Sequence, residues 1–371
     1  MQINVIGAGI LGASIAYELT LKGHSVTIAD SWAKGGATSA SAGIICPWVS
    51  KRRNMAWYAL AKGGAAYYPK LINQLFKDGE TNTGYKKVGT IRLHHNLEKL
   101  KELEKIALQR QQESPEMGEV KLLNPKETAS IFPYVKGDFH SLSISGAARV
   151  DGNALRNAML NACKKHGASF IQGKASLIVA GNDVTGMEIQ GKNHPADMTI
   201  AANGVWMNDL LKSLEPTVLF QAQKGELLHL QSSLFSSGTS LPVIKPPNNQ
   251  YILPLNNEEF IAGATHQTAR HSLNPSLTAE GAYYILDQLF EMTSGLEKIE
   301  IIGSRVGFRP FTKNHLPVFG PLPNFEGLII ANGLGASGLS TAPFIGKQLA
   351  KKISGETTDV PFSDYDIRLA E

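Results

Sequence analysis

Two cysteines, Cys46 and Cys163, are all that the 371 residues contain, too few for a disulfide framework. That scarcity suits a reducing compartment. CxxC, HExxH and GxxxxGK[ST] patterns are missing too, so zinc-site and P-loop readings have no support and no metal is expected. No apolar run has the length and composition of a membrane span. The N-terminal one is interrupted by Glu18, rich in glycine, and lacks the basic region of a signal peptide. A cytoplasmic protein is expected, with peripheral contact at the inner membrane face left open. An excess of one charge is also lacking. The 36 Lys and Arg stand against 32 Asp and Glu, a net +4. This balance argues against a nucleic-acid partner but allows a locally positive cleft. Basic residues fall in scattered groups such as Lys51-Arg52-Arg53 and Lys86-Lys87, not in a stripe.

What is present is an ordinary globular composition, 43% hydrophobic and 8% aromatic, in a chain long enough for one to three domains. The most informative stretch is Ile3-Asn4-Val5-Ile6-Gly7-Ala8-Gly9-Ile10-Leu11-Gly12. Ile3, Val5 and Ile6 suit a short buried strand. Gly7 permits a tight turn, Gly9 lets backbone approach a pyrophosphate, and Gly12 lets the following helix lie close on the strand. The helix N-terminus then offers unpaired N–H groups and a positive dipole end to phosphates. Ile10 to Lys22 reads as that helix and Gly23 as its stop. Ser25 to Ala29 is a second strand, and Asp30 at its end can bind ribose hydroxyls. A glycine turn in an α/β core without a ligand would share single features of this pattern, but not all of them in this order.

Ser31 to Pro47 is a long run of small residues. Ile44, Ile45 and Trp48 argue against disorder, and small residues let backbone N–H groups reach an anionic ligand. A nicotinamide-binding unit does not need this segment, whereas an extended FAD does. Further along, Val306-Gly307-Phe308-Arg309-Pro310 precedes Gly333-Leu334-Gly335-Ala336-Ser337-Gly338, which repeats the strand, glycine turn and helix logic of the opening.

With Ala37-Thr38-Ser39-Ala40-Ser41-Ala42-Gly43, these motifs resemble the D-amino-acid oxidase superfamily of flavoproteins, in its glycine oxidase and D-amino-acid dehydrogenase-like branch. They run in order along nearly the whole chain. The resemblance implies an α/β fold: a Rossmann-like FAD-binding domain with a β-rich substrate domain, both discontinuous. The expected FAD-binding segments are 1–85, 145–215 and 312–371, and the expected substrate segments are 86–144 and 216–311. It implies FAD contacts from Gly7, Gly9, Ile10, Leu11, Gly12, Asp30, Ser31, Gly36, Ala37, Thr38, Ser39, Ala42, Gly43 and Ile44. It adds Ala175, Ala202, Asn203, Gly204, Trp206, Gly333, Gly335, Ala336, Ser337, Gly338, Leu339 and Ser340. Asn203 stands where the family often has alanine or glycine, and Ala336 where some glycine oxidases carry an arginine. No cysteine follows Cys163, so the FAD is expected to be non-covalent.

A substrate carboxylate needs a fixed cation, and an arginine fork matches it bidentately. The resemblance places that role on Arg309, with Tyr251 adding a phenol hydrogen bond. A structural arginine and an ordinary buried strand tyrosine are the alternatives, and Arg305 is an alternate cation of more structural character. The reaction implied is oxidative deamination of glycine, sarcosine or a small D-amino acid, with hydride transfer from Cα to flavin N5. Oxygen or another electron acceptor would complete the cycle, and homo-oligomerisation is left open. Two other functions stay open. A 2-hydroxy acid oxidoreductase would need His266 or His229 as a base. A flavin-dependent RNA-modifying protein would need a basic stripe beside the cleft.

Overall fold

The computed structural model describes residues 1–50, 52, 54–215, 218–233, 241–255, 258–269 and 272–370. Among these residues two large sheets organise the chain. The six-stranded sheet runs in the order Val318–Pro321, Leu328–Asn332, Met198–Ala201, Gln2–Ile6, Ser25–Asp30, Ser169–Gln172. Its strands are parallel except Val318–Pro321, which pairs antiparallel at the edge. All six fall within 1–85, 145–215 and 312–371. Parallel strands need helices on their faces, and the central strand is accordingly apolar, with Ile3, Val5 and Ile6 buried.

Helix Ile10–Leu21 is buried from Ile10 to Thr20, because helices cover it on the side away from the sheet. Helix Gly338–Ile353 crosses it closely: a Cβ on Gly346 would sit 2.7 Å from the Ser14 carbonyl carbon. Helix Met55–Lys77 packs on that second helix in the same way, with Gly64 against the Ser340 carbonyl. Glycines at these crossings let backbones approach where any larger residue would hold them apart. Helix Gly152–Lys165 begins where expected, with the Asp151 carboxylate accepting the Ala154 N–H.

The second sheet runs Gln267–Ala269, Gln221–Gln231, Glu259–Gly263, Tyr251–Pro254, Val243–Lys245, Thr90–His94, His140–Ile144, Val120–Leu123, and Glu300–Phe311 pairs along Gln221–Gln231. All nine strands lie within 86–144 and 216–311. Helix Ala279–Met292, capped by Thr278, packs its Ile285 and Leu289 on one face of this sheet with Leu228, Leu230 and Ile252. The other face meets the small-residue segment, where Ala42 and Ile44 pack with Leu227, Val243, Tyr251 and Leu253. A three-stranded antiparallel sheet, Ala175–Ala180, Asp183–Ile189 and Lys192–Pro195, lies beside the first sheet. His94 and His95, adjacent in sequence, part as alternation requires, and His95 stacks on Phe139. Of Lys51-Arg52-Arg53, Lys51 and Arg53 lie outside the described residues. Lys86 and Lys87 are exposed.

Candidate active site

A cavity of about 1790 Å³ runs from the end of the parallel sheet to the large antiparallel sheet. Pockets for small ligands usually hold about 300–1,000 Å³, so this one is sized for a long ligand with a second molecule beside it. Its first end is built from backbone. Strand Gln2–Ile6 leaves the sheet at Gly7, whose φ of +103° and approach to Ala202 leave no room for a Cβ. Gly9 caps the helix without a side-chain hydrogen bond, and no acidic residue occupies the first turn. The Ile10 N–H donates to the Thr38 hydroxyl at 2.9 Å. The remaining positive helix end faces the cavity, where a phosphate fits.

Asp30 accepts the Ala8 and Trp32 N–H groups, which fixes its carboxylate at the turn. Arg156 stacks over Trp32 at 4.8 Å from the ring centroid, with its charge partly balanced by Asp30 and Asp151. Asp30, Trp32 and Arg156 line the cavity, with Ala175. Two amide oxygens there, Asn153 Oδ1 and Asn203 Oδ1, are buried without a described partner. Unsatisfied buried acceptors in a cavity wall fit a ligand that donates hydrogen bonds. The glycine cradle, the free helix end and these acceptors suit the phosphates, ribose hydroxyls and ring N–H groups of FAD.

The small-residue segment then threads between the two sheets. Gly36 bridges to Phe308, a Cβ on Gly307 would sit 2.5 Å from Ala40 Cβ, and one on Gly43 would sit 1.8 Å from the Val150 oxygen. Gly36, Ala37, Thr38, Ser39, Ala42, Gly43 and Ile44 all line the cavity, as do Gly335, Ala336, Gly338, Leu339 and Ser340 from the last glycine motif. Ile10, Leu11, Ser31, Ala202, Gly204 and Trp206 line it too.

Three residues expected to touch the cofactor do not line the cavity. Gly12 is turned to the strand, 1.7 Å from the Gly7 oxygen at its missing Cβ, so its role is helix packing. Gly333 makes the turn after Leu328–Asn332 at φ +79°, against Thr312. The Ser337 hydroxyl donates to the Leu334 oxygen and accepts the Trp57 indole N–H, which ties the turn to helix Met55–Lys77.

The far end of the cavity is built from side chains on strands. Arg309 extends from Glu300–Phe311 across Gly225, where a Cβ would lie 2.6 Å from its Nη2. Nη1 donates to Gln223 Oε1 at 3.1 Å, to the Thr265 oxygen at 3.3 Å and to His266 Nδ1 at 2.9 Å. No carboxylate among the described residues pairs with it. Tyr251 lines the same region, its phenol pushed up to about 12 by burial while Arg309 and Arg305 oppose the rise. It therefore stays a hydrogen-bond donor at neutral pH. Since Arg309 only donates, His266 Nδ1 is the acceptor, and the ring is neutral with its proton on Nε2. Desolvation and the Arg309 charge both hold His266 below the ordinary histidine range.

Arg305 does not line the cavity and pairs with Asp151 at 3.6 Å. His229 is also outside it, with Nε2 buried and without a hydrogen-bond partner among the described residues. Cys46 does not line the cavity, and burial raises its thiol. Trp32, Asn153, Arg156, Lys245 and Asn249 line it without having been singled out from the sequence. Among the described residues no three His, Cys, Asp or Glu side chains gather as a metal site, and no helix is long and apolar enough to cross a membrane.

A family model described as FAD dependent oxidoreductase (DAO) matches residues 2–352. An uncharacterized oxidoreductase of Bacillus subtilis, YurR, is 45% identical over 98% of this chain and 97% of its own length. A glycine oxidase of Pseudomonas putida is 26% identical over 92% of this chain and 91% of its own. The crystal structure of iminodiacetate oxidase from Chelativorans sp. BNC1 superposes with a TM-score of 0.92 at 35% identity, covering 98% of both chains.

Proposed function

The chain belongs to the FAD-dependent oxidoreductase (DAO) family, and from that premise we propose that it oxidises a small amine bearing a carboxylate: glycine, sarcosine or a small D-amino acid. FAD, when bound, supplies the two-electron acceptor for the substrate Cα–H bond. The supporting observation is the Arg309 guanidinium, desolvated in the cavity wall and without a carboxylate partner among the described residues. A carboxylate docked on its free edge gains a charge-assisted fork, and the Tyr251 hydroxyl adds a donor. Two fixed donors on strands of one sheet also orient the Cα–H. Similarity to glycine oxidases and to iminodiacetate oxidase agrees with a carboxylate-bearing amine.

No side chain here is needed as a base. A neutral amine enters with its lone pair free, and the product imine hydrolyses to a 2-oxo acid and ammonia or an amine. Oxidising a hydroxy acid would instead require a base, and His266 is poorly set for it. Its Nδ1 already accepts from Arg309, and its Nε2 carries the proton.

Anaerobic mixing of the purified flavoprotein with a panel of amines and 2-hydroxy acids tests the reading. Loss of the flavin band near about 450 nm with glycine, sarcosine or a D-amino acid is expected. Bleaching by hydroxy acids alone would overturn it.

A further inference from the structure

Lys245 belongs to no part of the machinery described so far, yet it lines the cavity. Its strand, Val243–Lys245, pairs antiparallel with Tyr251–Pro254, with Ile244 opposite Ile252. The next position along that ladder sets Lys245 opposite Tyr251. Directly opposed residues share a face, with Cβ atoms about 4.5–5.5 Å apart. Arg309 approaches from the other side of the Tyr251 strand, across Gln221–Gln231 and Glu259–Gly263. The Tyr251 ring leans towards Arg309, since its hydroxyl lies 3.0 Å from where a Gly263 Cβ would be. That leaves the space over Lys245 open to the cavity.

The Lys245 ammonium has no ion pair or hydrogen bond with any described residue. The neighbours that act on it electrostatically are a thiol, Cys46, and a like charge, Arg92, its register partner on Thr90–His94. An ammonium set in a cavity wall beside another cation and without an anion is costly unless a ligand supplies the anion. A carboxylate docked at Arg309 would lie on the other side of Tyr251 from Lys245, towards the Glu300–Phe311 strand.

We propose that Lys245 is a second anion-binding group of the substrate site, so that the preferred substrate is an amine carrying two carboxylates, one held at Arg309 and one at Lys245. This rests on the amine-oxidation reading for the reaction, but not for the binding. A dicarboxylate with a secondary amine between its arms would place its oxidisable C–H between the two cations, both of which line the cavity. Lys245 would then be a specificity residue.

Two measurements on the full-length flavoprotein test this. In the first, iminodiacetate and sarcosine are compared by kcat/KM, in the wild type and in Lys245→Met and Lys245→Arg. The expected wild-type preference for iminodiacetate is at least tenfold. Lys245→Met should remove most of it and Lys245→Arg should retain most of it. In the second, unreactive succinate and acetate are titrated against the wild type by perturbation of the flavin spectrum, which needs no turnover and no variant. Succinate is expected to bind at least tenfold more tightly. A wild type that favours sarcosine, binds both anions equally, or keeps its preference in Lys245→Met overturns the proposal. If no amine is oxidised but succinate binds selectively, the reaction reading fails while the second anion site stands.

Discussion

The two ends of the cavity are made from different materials. At the dinucleotide end, the wall is backbone: a glycine at φ +103°, a helix start without a side-chain cap, and a run of small residues threaded between sheets. At the proposed substrate end, the wall is charged and aromatic side chains, Arg309, Tyr251, His266 and Lys245, standing on or beside the strands of one large sheet. Backbone recognises what all dinucleotide cofactors share, namely phosphates and hydroxyls. Side chains on rigid strands recognise what distinguishes one substrate from another. Damage at the first end should therefore lower flavin content without changing preference, and damage at the second should change preference with flavin retained.

The largest effect is expected from Gly12→Val. Its side chain would meet the Gly7 oxygen at 1.7 Å even at Cβ, so the turn and helix cannot keep their spacing. Purified protein should be flavin-free or insoluble, as the ratio of flavin to protein absorbance will show. Arg309→Met comes next. It should keep its flavin and lose about 10³-fold in kcat/KM for sarcosine, about 4 kcal/mol, as fits loss of a charge-assisted fork to a desolvated carboxylate.

Acidity should act at the substrate end as well. His266 is held below its ordinary range, so its ring stays neutral above that lowered value. As pH falls through it, the new proton removes the Nδ1 acceptor and sets a positive charge beside Arg309. Tyr251, at about 12, stays protonated across the assay range. The substrate amine must also be neutral. Hence kcat/KM should rise steadily towards alkaline pH, by up to about tenfold per unit while the amine is mostly protonated. A flat or falling profile would contradict this. Tyr251→Phe should cost about tenfold in kcat/KM, about 1.4 kcal/mol, with the alkaline rise preserved. The smallest effect belongs to the first end. Thr38→Ala removes one acceptor from the Ile10 N–H and should lower stability by about 1 kcal/mol, seen as a modest fall in Tm with unchanged substrate preference.

The same division explains what could be read from the sequence. Gly7, Gly9 and Asp30 were legible because a strand, a tight turn and a helix start constrain residue type within a few positions. Gly12 was equally legible as a glycine, but its local pattern does not separate cofactor contact from helix packing. Ser337 is a similar case: the turn around it touches the cavity, while its hydroxyl serves Leu334 and Trp57. Arg309 and Tyr251 came through resemblance, since they are 58 residues apart and meet only through strand pairing. Lys245 was missed although a signal existed. It ends the apolar strand Val243-Ile244 and aligns with Tyr251 once the intervening Pro-Pro-Asn-Asn-Gln segment is read as a hairpin turn. Arg156 and Trp32 gave no such signal, because a helix and a loop far apart in sequence bring them together.

The central claim is that the cavity recognises its substrate by a carboxylate. Anaerobic flavin reduction by sarcosine and by sarcosine amide, which share the C–H bonds and the secondary amine but differ in that carboxylate, tests it most directly. Reduction by the amide is expected to be at least about 10²-fold slower at equal subsaturating concentration of neutral amine, because the desolvated Arg309 is then left without its anion. Equal rates would contradict the account.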